Sequence, residues 1–127
     1  MSTILLEHVN LTVTDAIESA ELLCRLFDWK IRWQGASLDE GYTVHVGNDQ
    51  QYIALYSPSC ELGEKPASYV SRATLSHIGI LVEKMDLVEK RLADEGLRTH
   101  SHQEYEPGRR FYFDDPDGIE FEVVSYD

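Results

Sequence analysis

The sequence predicts an α+β fold made of two βαβββ modules, which form a curved mixed sheet with helices on its outer face. The prediction rests on a repeat: residues 8–13 (HVNLTV) and 77–82 (HIGILV) share the pattern His-(Val/Ile)-x-(Leu/Ile)-x-Val. The two histidines are 77 − 8 = 69 residues apart, about half of the 127-residue chain, and an Asp-x-x-Glu helix start soon follows each segment. Self-similarity at such an offset indicates two copies of one unit, with His8 and His77 in equivalent places.

The first module is predicted over about residues 4–56. A strand over 4–13 precedes a helix that begins at Asp15, because Asp15 and Glu18 have the spacing of a capping box. Short strands over 30–34, 41–46 and 51–56 follow, separated by turns that contain glycine. The predicted buried stripe of the helix recurs with the helical period and consists of Ile17, Ala20, Leu23, Cys24 and Phe27.

A polar connector, residues 57–74, leads to the second module over about 75–126, and the whole chain, 1–127, is predicted to be a single domain. After the His77 strand, Asp86 and Glu89 are the predicted capping box of a helix that Gly96 terminates. A weak strand over 98–103 precedes two strong ones, over 109–113 and 119–125, which the turn residues 114–118 (DDPDG) join.

Alternation along the strands assigns side chains to the two faces of the sheet. The apolar members of the first and fifth strands must cover the helices, so His8 and His77 are expected on the opposite face. In the last hairpin, the predicted pairing of Phe113 with Ile119 determines which side chains share the face of the two histidines. This histidine face also includes Asn10, Tyr52, Ala54, Tyr56, Arg110, Tyr112, Glu120 and Glu122.

This face predicts a pocket with a metal site. Two histidines and one carboxylate form the ligand set that holds a divalent metal while leaving coordination positions open for substrate oxygens. The pattern of residues does not choose between Glu120 and Glu122 as the carboxylate. His45, His100 and His102 lie in weaker segments and are predicted to be surface residues.

Composition narrows the classes of partner. The net charge of −12 argues against nucleic acids and anionic membranes, while acidity serves solubility or attraction of a cationic ligand. The sequence shows neither a signal-peptide pattern nor an apolar run of the ~20 residues that a membrane span requires. These features predict a soluble, cytoplasmic protein, and the predicted pocket indicates a small-molecule partner.

The chain resembles the vicinal oxygen chelate superfamily, which includes glyoxalase I, extradiol dioxygenases, fosfomycin-resistance transferases and bleomycin-resistance proteins. The resemblance covers the paired modules, both histidines, and residues 111–122 (FYFDDPDGIEFE), which look like the superfamily's D-P-D-G-x-x-x-E signature. It implies that the metal ligands are His8, His77 and Glu122, the last being four residues after Gly118. It also implies a catalytic role for Tyr112, ten residues before that glutamate.

Departures from individual families shape the expected chemistry. Glyoxalase I enzymes carry a fourth ligand where this chain has Ala54, so the three-ligand set of extradiol dioxygenases is favoured. Fosfomycin transferases need basic residues that bind a phosphonate. This chain has only eleven Lys and Arg in all, which weakens the case for that activity. The expected substrate pocket contains Asn10, Tyr52, Ala54, Tyr56 and Arg110.

Three functions stay open at this point. The first is a metal-dependent dioxygenase, lyase or isomerase that uses Fe, Mn, Zn, Ni or Co to chelate adjacent oxygens of a small substrate. The second is a metal-free module that sequesters a cationic or aromatic molecule, as bleomycin-resistance proteins do. The third is a noncatalytic dimeric regulator. Single-domain relatives commonly pair their modules across subunits, so we expect a homodimer.

Overall fold

The computed structural model describes residues 3–105 and 108–126, except for the side chain of Tyr105. The chain divides into two compact units, Met1–Gly63 and Glu64–Asp127. Each unit contains one four-stranded sheet and one α-helix, and each follows the predicted order βαβββ. The α+β fold class and the two modules are therefore confirmed.

The first unit begins with β1 (His8–Thr12), which is shorter than the predicted strand: its register with β4 starts at His8, and the preceding Ile4, Leu5 and Leu6 are exposed. The remaining elements are α1 (Ala16–Phe27), β2 (Lys30–Ala36), a 3₁₀ turn (Leu38–Glu40), β3 (Tyr42–Gly47) and β4 (Tyr52–Ser57). The second unit contains β5 (Ile78–Leu81), α2 (Met85–Asp94), β6 (Thr99–Tyr105), β7 (Gly108–Asp114) and β8 (Glu120–Ser125).

The two sheets have the same topology. Their strand orders are β1-β4-β3-β2 and β5-β8-β7-β6. In each sheet the first strand pairs in parallel with the last, and the other pairs are antiparallel. Asn10 pairs with Ala54, and Gly79 pairs with Glu122, so Ala54 occupies in the first unit the place that Glu122 occupies in the second.

Helix α1 begins as predicted, but its buried stripe differs. Asp15 is the N-cap, and its carboxylate accepts a hydrogen bond of 3.1 Å from the backbone N–H of Glu18. Of the predicted stripe, Ala20 and Leu23 are buried, whereas Ile17 is 41% exposed and Cys24 and Phe27 are half-buried. The other buried residues of the helix are Ala16, Leu22 and Leu26. Apolar residues also lie beside the predicted stripe, at Ala16, Leu22 and Leu26, and packing on β3 and β4 selects the buried face.

Helix α2 begins earlier than predicted. Its N-cap is Lys84, which makes no side-chain cap hydrogen bond, and Asp86 lies within the first turn. The capping box at Asp86 and Glu89 was therefore wrong, and Glu89 accepts hydrogen bonds from Thr99 and His102 instead. Gly96 ends the helix as predicted: its φ of +75° is the left-handed conformation that glycine adopts at low cost.

The last hairpin differs from the predicted pairing by two residues. Phe113 pairs with Phe121 rather than Ile119, and Tyr112 pairs with Glu122 rather than Glu120. Because side chains alternate with a period of two, this slip leaves every side chain on its predicted face. Phe111, Phe113 and Phe121 are at most 1% exposed and form the centre of the second core.

Candidate metal and substrate site

In the second unit, the fold brings His77 and Glu122 together on the face opposite the core. The Nε2 atom of His77 lies 3.7 Å from Oε1 of Glu122. Ligand bonds of about 2.0–2.2 Å to one metal ion place two ligand atoms roughly 3–4 Å apart, so this separation suits shared coordination. The carboxylate is 14% exposed and the imidazole 35% exposed, so the pair is open to a small molecule.

Two donors hold the other oxygen of the same carboxylate. Arg110 Nη1 and Tyr112 Oη each donate a hydrogen bond of 3.1 Å to Oε2 of Glu122. This orientation leaves Oε1 facing His77. Burial, followed by the hydrogen bond to Glu122, raises the pKa of Tyr112, so its hydroxyl remains a proton donor at neutral pH. His77 also meets the edge of the Tyr112 ring at a centroid distance of 5.7 Å.

Tyr69, in the connector, was not predicted to belong to the site. Its hydroxyl lies 3.1 Å from Nδ1 of His77 and donates a short hydrogen bond to Oε1 of Glu120. The hydrogen bond to Glu120 raises the pKa of Tyr69 to about 12. No periodic pattern marks this residue in the sequence, because its backbone has a left-handed φ of +68° in an irregular segment. Glu120 therefore serves as the partner of Tyr69, while Glu122 faces the histidine ring.

In the first unit, His8 has an acidic neighbour of its own. Its Nδ1 atom lies 2.9 Å from Oε1 of Glu7, and the hydroxyl of Tyr52 donates a hydrogen bond of 3.2 Å to the same carboxylate oxygen. The hydrogen bond from His8 lowers the pKa of Glu7. The rings of His8 and Tyr52 stack with a centroid distance of 4.8 Å.

A stack of rings extends from His8 across the first sheet. His45 lies between Tyr52 and Trp33, at centroid distances of 4.6 and 5.2 Å. The guanidinium of Arg32 lies 4.6 Å from the centroid of the Tyr52 ring. Burial among these rings lowers the pKa of His45, which is half-buried. His45 pairs with Ala54 as Tyr112 pairs with Glu122, so the two residues occupy equivalent places in the two sheets.

Three other residues were predicted to line the pocket, namely Asn10, Ala54 and Tyr56. Asn10 is exposed and pairs with Ala54, which is 2% exposed and offers no ligand atom. The hydroxyl of Tyr56 donates a hydrogen bond of 2.8 Å to the carbonyl oxygen of Leu38, and thereby fastens the 3₁₀ turn. Tyr56 therefore has a structural partner in this fold.

A second group of possible ligands lies beside His77 in the same unit. Ligand atoms of His100, Asp114 and Glu120 lie within 4.8 Å of one another. His100 stacks on Tyr112 and was missed because β6 contains a register shift between His100 and Gln103, which breaks the alternation. With bonds of up to about 2.2 Å, two ligand atoms on one metal are at most about 4.4 Å apart. Two ligand atoms of this group that are 4.8 Å apart would have to move closer together to bind one metal. The ligand atoms of His77 and Glu122 would not have to move.

The comparison with protein families identifies the chain. The model of the Glyoxalase/Bleomycin resistance protein/Dioxygenase superfamily matches residues 5–123. The chain belongs to this superfamily. Membership agrees with the paired modules and with the resemblance noted in residues 111–122. No curated protein sequence matches the chain.

Solved structures of this superfamily have the same fold. A glyoxylase/bleomycin resistance protein/dioxygenase domain from Frankia sp. EAN1pec is 27% identical, with a TM-score of 0.83, and the match covers 99% of this chain and 94% of that one. A mutant of the fosfomycin resistance protein FosX from Listeria monocytogenes, in complex with Mn(II) and 1S,2S-dihydroxypropylphosphonic acid, is 19% identical, with a TM-score of 0.70; the match covers 98% of this chain and 90% of that one. A glyoxalase family protein from Enterococcus faecalis is 16% identical, with a TM-score of 0.71 and 92% coverage of each chain.

Within the described part of the chain, neither helix has the length and apolar composition needed to cross a membrane.

Proposed function

We propose that the chain is a metal-dependent enzyme that acts on a small molecule with two adjacent oxygen atoms. The observation that carries this proposal is the approach of His77 Nε2 to Glu122 Oε1 at 3.7 Å. We assign these two residues as metal ligands. We propose His8 as the third ligand, and the repeat and the family resemblance support this choice.

The surroundings of both histidines support this assignment. Metal-binding histidines usually give their second ring nitrogen to an acidic or carbonyl partner, which fixes the tautomer. Nδ1 of His8 has Glu7 as its partner at 2.9 Å, and Nδ1 of His77 has Tyr69 at 3.1 Å. In both cases Nε2 is the nitrogen left for a metal.

The chemistry follows from the donor set. A divalent metal bound by two imidazoles and a carboxylate supplies Lewis-acid stabilisation of negative charge on substrate oxygens. Tyr112 keeps its proton and donates to Glu122 in the free enzyme. We propose that it is the catalytic hydrogen-bond donor, and that Asn10, Tyr52, Ala54, Tyr56 and Arg110 contribute to substrate binding.

The ligand set favours chemistry of the extradiol dioxygenase type over that of glyoxalase I. Ala54 occupies the first-unit position equivalent to Glu122 and has no ligand atom, so the set stays at three. A phosphonate substrate is less well supported, because Arg110 is already engaged by Glu122 at 3.1 Å. The metal is one of Fe, Mn, Zn, Ni and Co; the Mn(II) in Listeria FosX makes manganese the first to test.

Metal titration of variants tests the ligand assignment. His77→Ala should reduce Mn(II) or Zn(II) affinity by more than 100-fold, because two ligands hold a divalent ion poorly. His102→Ala is the matched control, since His102 is half-exposed and bonded to Glu89 on the same unit. Equal affinity of His77→Ala and the parent would contradict the proposal. If His100→Ala alone abolishes binding, the metal belongs to the His100–Asp114–Glu120 group instead.

We also propose that the working form is a homodimer with two equivalent sites. A swapped arrangement, in which His8 of one chain serves the His77 and Glu122 of the other, is tested by mixing His8→Ala and His77→Ala chains. Co-refolded swapped heterodimers regain one intact site, whereas unswapped pairing restores none. Light scattering of the metal-bound protein that gives the mass of one chain would contradict the dimer.

A metal-free binding module is the alternative function. The stacked rings of His8, Tyr52, His45 and Trp33 are the observation that favours it, because flat cations and aromatic molecules bind on such faces. Under this alternative, a planar cationic dye should bind equally well with and without EDTA, and Trp33→Ala should abolish its binding. Under the enzyme proposal, EDTA should lower the melting temperature of the purified protein.

A further inference from the structure

The connector places one side chain against a proposed metal ligand. The Tyr69 hydroxyl bridges Nδ1 of His77, at 3.1 Å, and the carboxylate of Glu120. Its backbone has a left-handed φ of +68°, which is rare for a bulky residue. The backbone N–H of Tyr69 donates a hydrogen bond of 3.2 Å to Oγ of Ser76, the residue immediately before His77. An unfavourable backbone conformation is therefore maintained where the side chain reaches the site.

The first unit shows why the second needs this bridge. Glu7 directly precedes His8 and contacts its Nδ1 atom at 2.9 Å. The residue equivalent to Glu7 in the repeat is Ser76 (7 + 69 = 76), which is too short and has no charge. In the second unit the carboxylate comes instead from Glu120, whose Oε1 is 4.0 Å from His77 Nδ1. Tyr69 spans that gap.

We propose that Tyr69 is a positioning residue that, together with Glu120, fixes His77 as the Nδ1–H tautomer. A carboxylate only accepts hydrogen bonds, so the Tyr69 hydroxyl donates its hydrogen bond to Glu120. The tyrosine oxygen then accepts from Nδ1–H of His77, and Nε2 is left without a proton. This inference rests on the proposed metal site, because its purpose is to present the Nε2 lone pair beside Glu122.

The distance on the other side of the ring agrees with this assignment. Nε2 of His77 lies 3.7 Å from Oε1 of Glu122, which is longer than a hydrogen bond between these atoms. A His77 ring protonated at Nε2 would donate to that carboxylate and close the distance. The structure therefore has its ring hydrogen bond on the Tyr69 side.

The tautomer can be measured in the metal-free protein by ¹⁵N NMR of the neutral His77 ring. The parent should show a protonated Nδ1 and an unprotonated Nε2. Tyr69→Phe should raise the Nε2–H form, because the acceptor is lost. Glu120→Leu should do so too, since the freed tyrosine hydroxyl can then donate to Nδ1. Tyr126→Phe is the matched control: Tyr126 is 57% exposed, against 62% for Tyr69, and should leave the spectrum unchanged.

Mn(II) affinity supplies the second measurement. Loss of a hydrogen-bonding partner of a ligand lowers metal affinity by about 10- to 100-fold, so we expect that loss in Tyr69→Phe and none in Tyr126→Phe. An unchanged tautomer in Tyr69→Phe would overturn the inference, even if His77→Ala abolishes binding and the metal site stands. If His77→Ala retains metal, the proposed function fails, while the tautomer of the metal-free ring still decides whether Tyr69 positions His77.

Discussion

The ion pair between Arg110 and Glu122 allows a quantitative test of how the site carboxylate is held. Both side chains are largely buried, at 17% and 14% exposure, and their atoms are 3.1 Å apart. A hydrogen bond to a charged group contributes about 1.5–3 kcal/mol, and little of it is lost to screening at this burial. Arg110→Met retains the apolar stem but removes the donor, while Tyr112 continues to donate to the same oxygen. We therefore expect a loss of about 2 kcal/mol in the free energy of unfolding, roughly a 30-fold change in the folding equilibrium.

Urea unfolding followed by circular dichroism at neutral pH measures this loss, with the dependence on urea unchanged. Arg109→Met is the matched control. Arg109 is 43% exposed and lies 3.9 Å from the 74% exposed Glu104, so its removal should cost less than about 1 kcal/mol. Adding Glu122→Gln to Arg110→Met should recover part of the loss, because no buried carboxylate then lacks its cation. A cost for Arg110→Met no larger than that for Arg109→Met would refute this account of the carboxylate.

Three further predictions concern the framework. Asp115 accepts backbone hydrogen bonds of 2.9 Å from Asp117 and Ile119, so Asp115→Ala should cost about 2–3 kcal/mol in urea unfolding. Burial raises the pKa of Asp115, so the folded state binds its proton more tightly and loses stability as pH rises through that pKa. Thermal unfolding should therefore show Asp115→Asn gaining stability relative to the parent between pH 3 and neutrality. A constant difference in stability between the two proteins would contradict this. Asp15→Ala removes the N-cap of α1 and should cost about 1 kcal/mol in the same assay, with Asp15→Ser retaining most of the stability. Gly47→Ala should cost about 3 kcal/mol, since the new Cβ would lie 2.2 Å from the carbonyl oxygen of Gln51, and a melting temperature equal to that of the parent would refute the close approach.

The fold could be predicted from the sequence because its strongest signals are periodic and duplicated. The His8 and His77 segments indicated two units, and side-chain parity assigned Glu122 to the histidine face even though the predicted hairpin register was off by two. A register error of two residues does not change which face a side chain lies on. The predicted face of Glu122 was therefore right, although its predicted pairing partner was wrong. The start of α2 was missed because Lys84, the actual N-cap, has none of the side-chain chemistry that marks a helix start.

The candidate site was predicted less completely, for reasons of local geometry. His100 lies beside a register shift in β6, where Ser101 has a left-handed φ of +57°, so alternation could not assign it to a face. Tyr69 depends on a turn conformation that no sequence pattern specifies. His45 was missed because the 69-residue offset of the repeat aligns it with Asp114 (45 + 69 = 114), and only the strand pairing shows that it occupies the place of Tyr112.

A crystal structure of the chain grown with Mn(II) and recorded with anomalous data would show which side chains bind the metal. We predict one anomalous peak per site, bonded to Nε2 of His77 and to one oxygen of Glu122 at about 2.0–2.2 Å, with His8 as the third ligand. Nδ1 of His77 should remain hydrogen-bonded to Tyr69. A peak among His100, Asp114 and Glu120, or a peak bonded to neither His77 nor Glu122, would contradict this prediction.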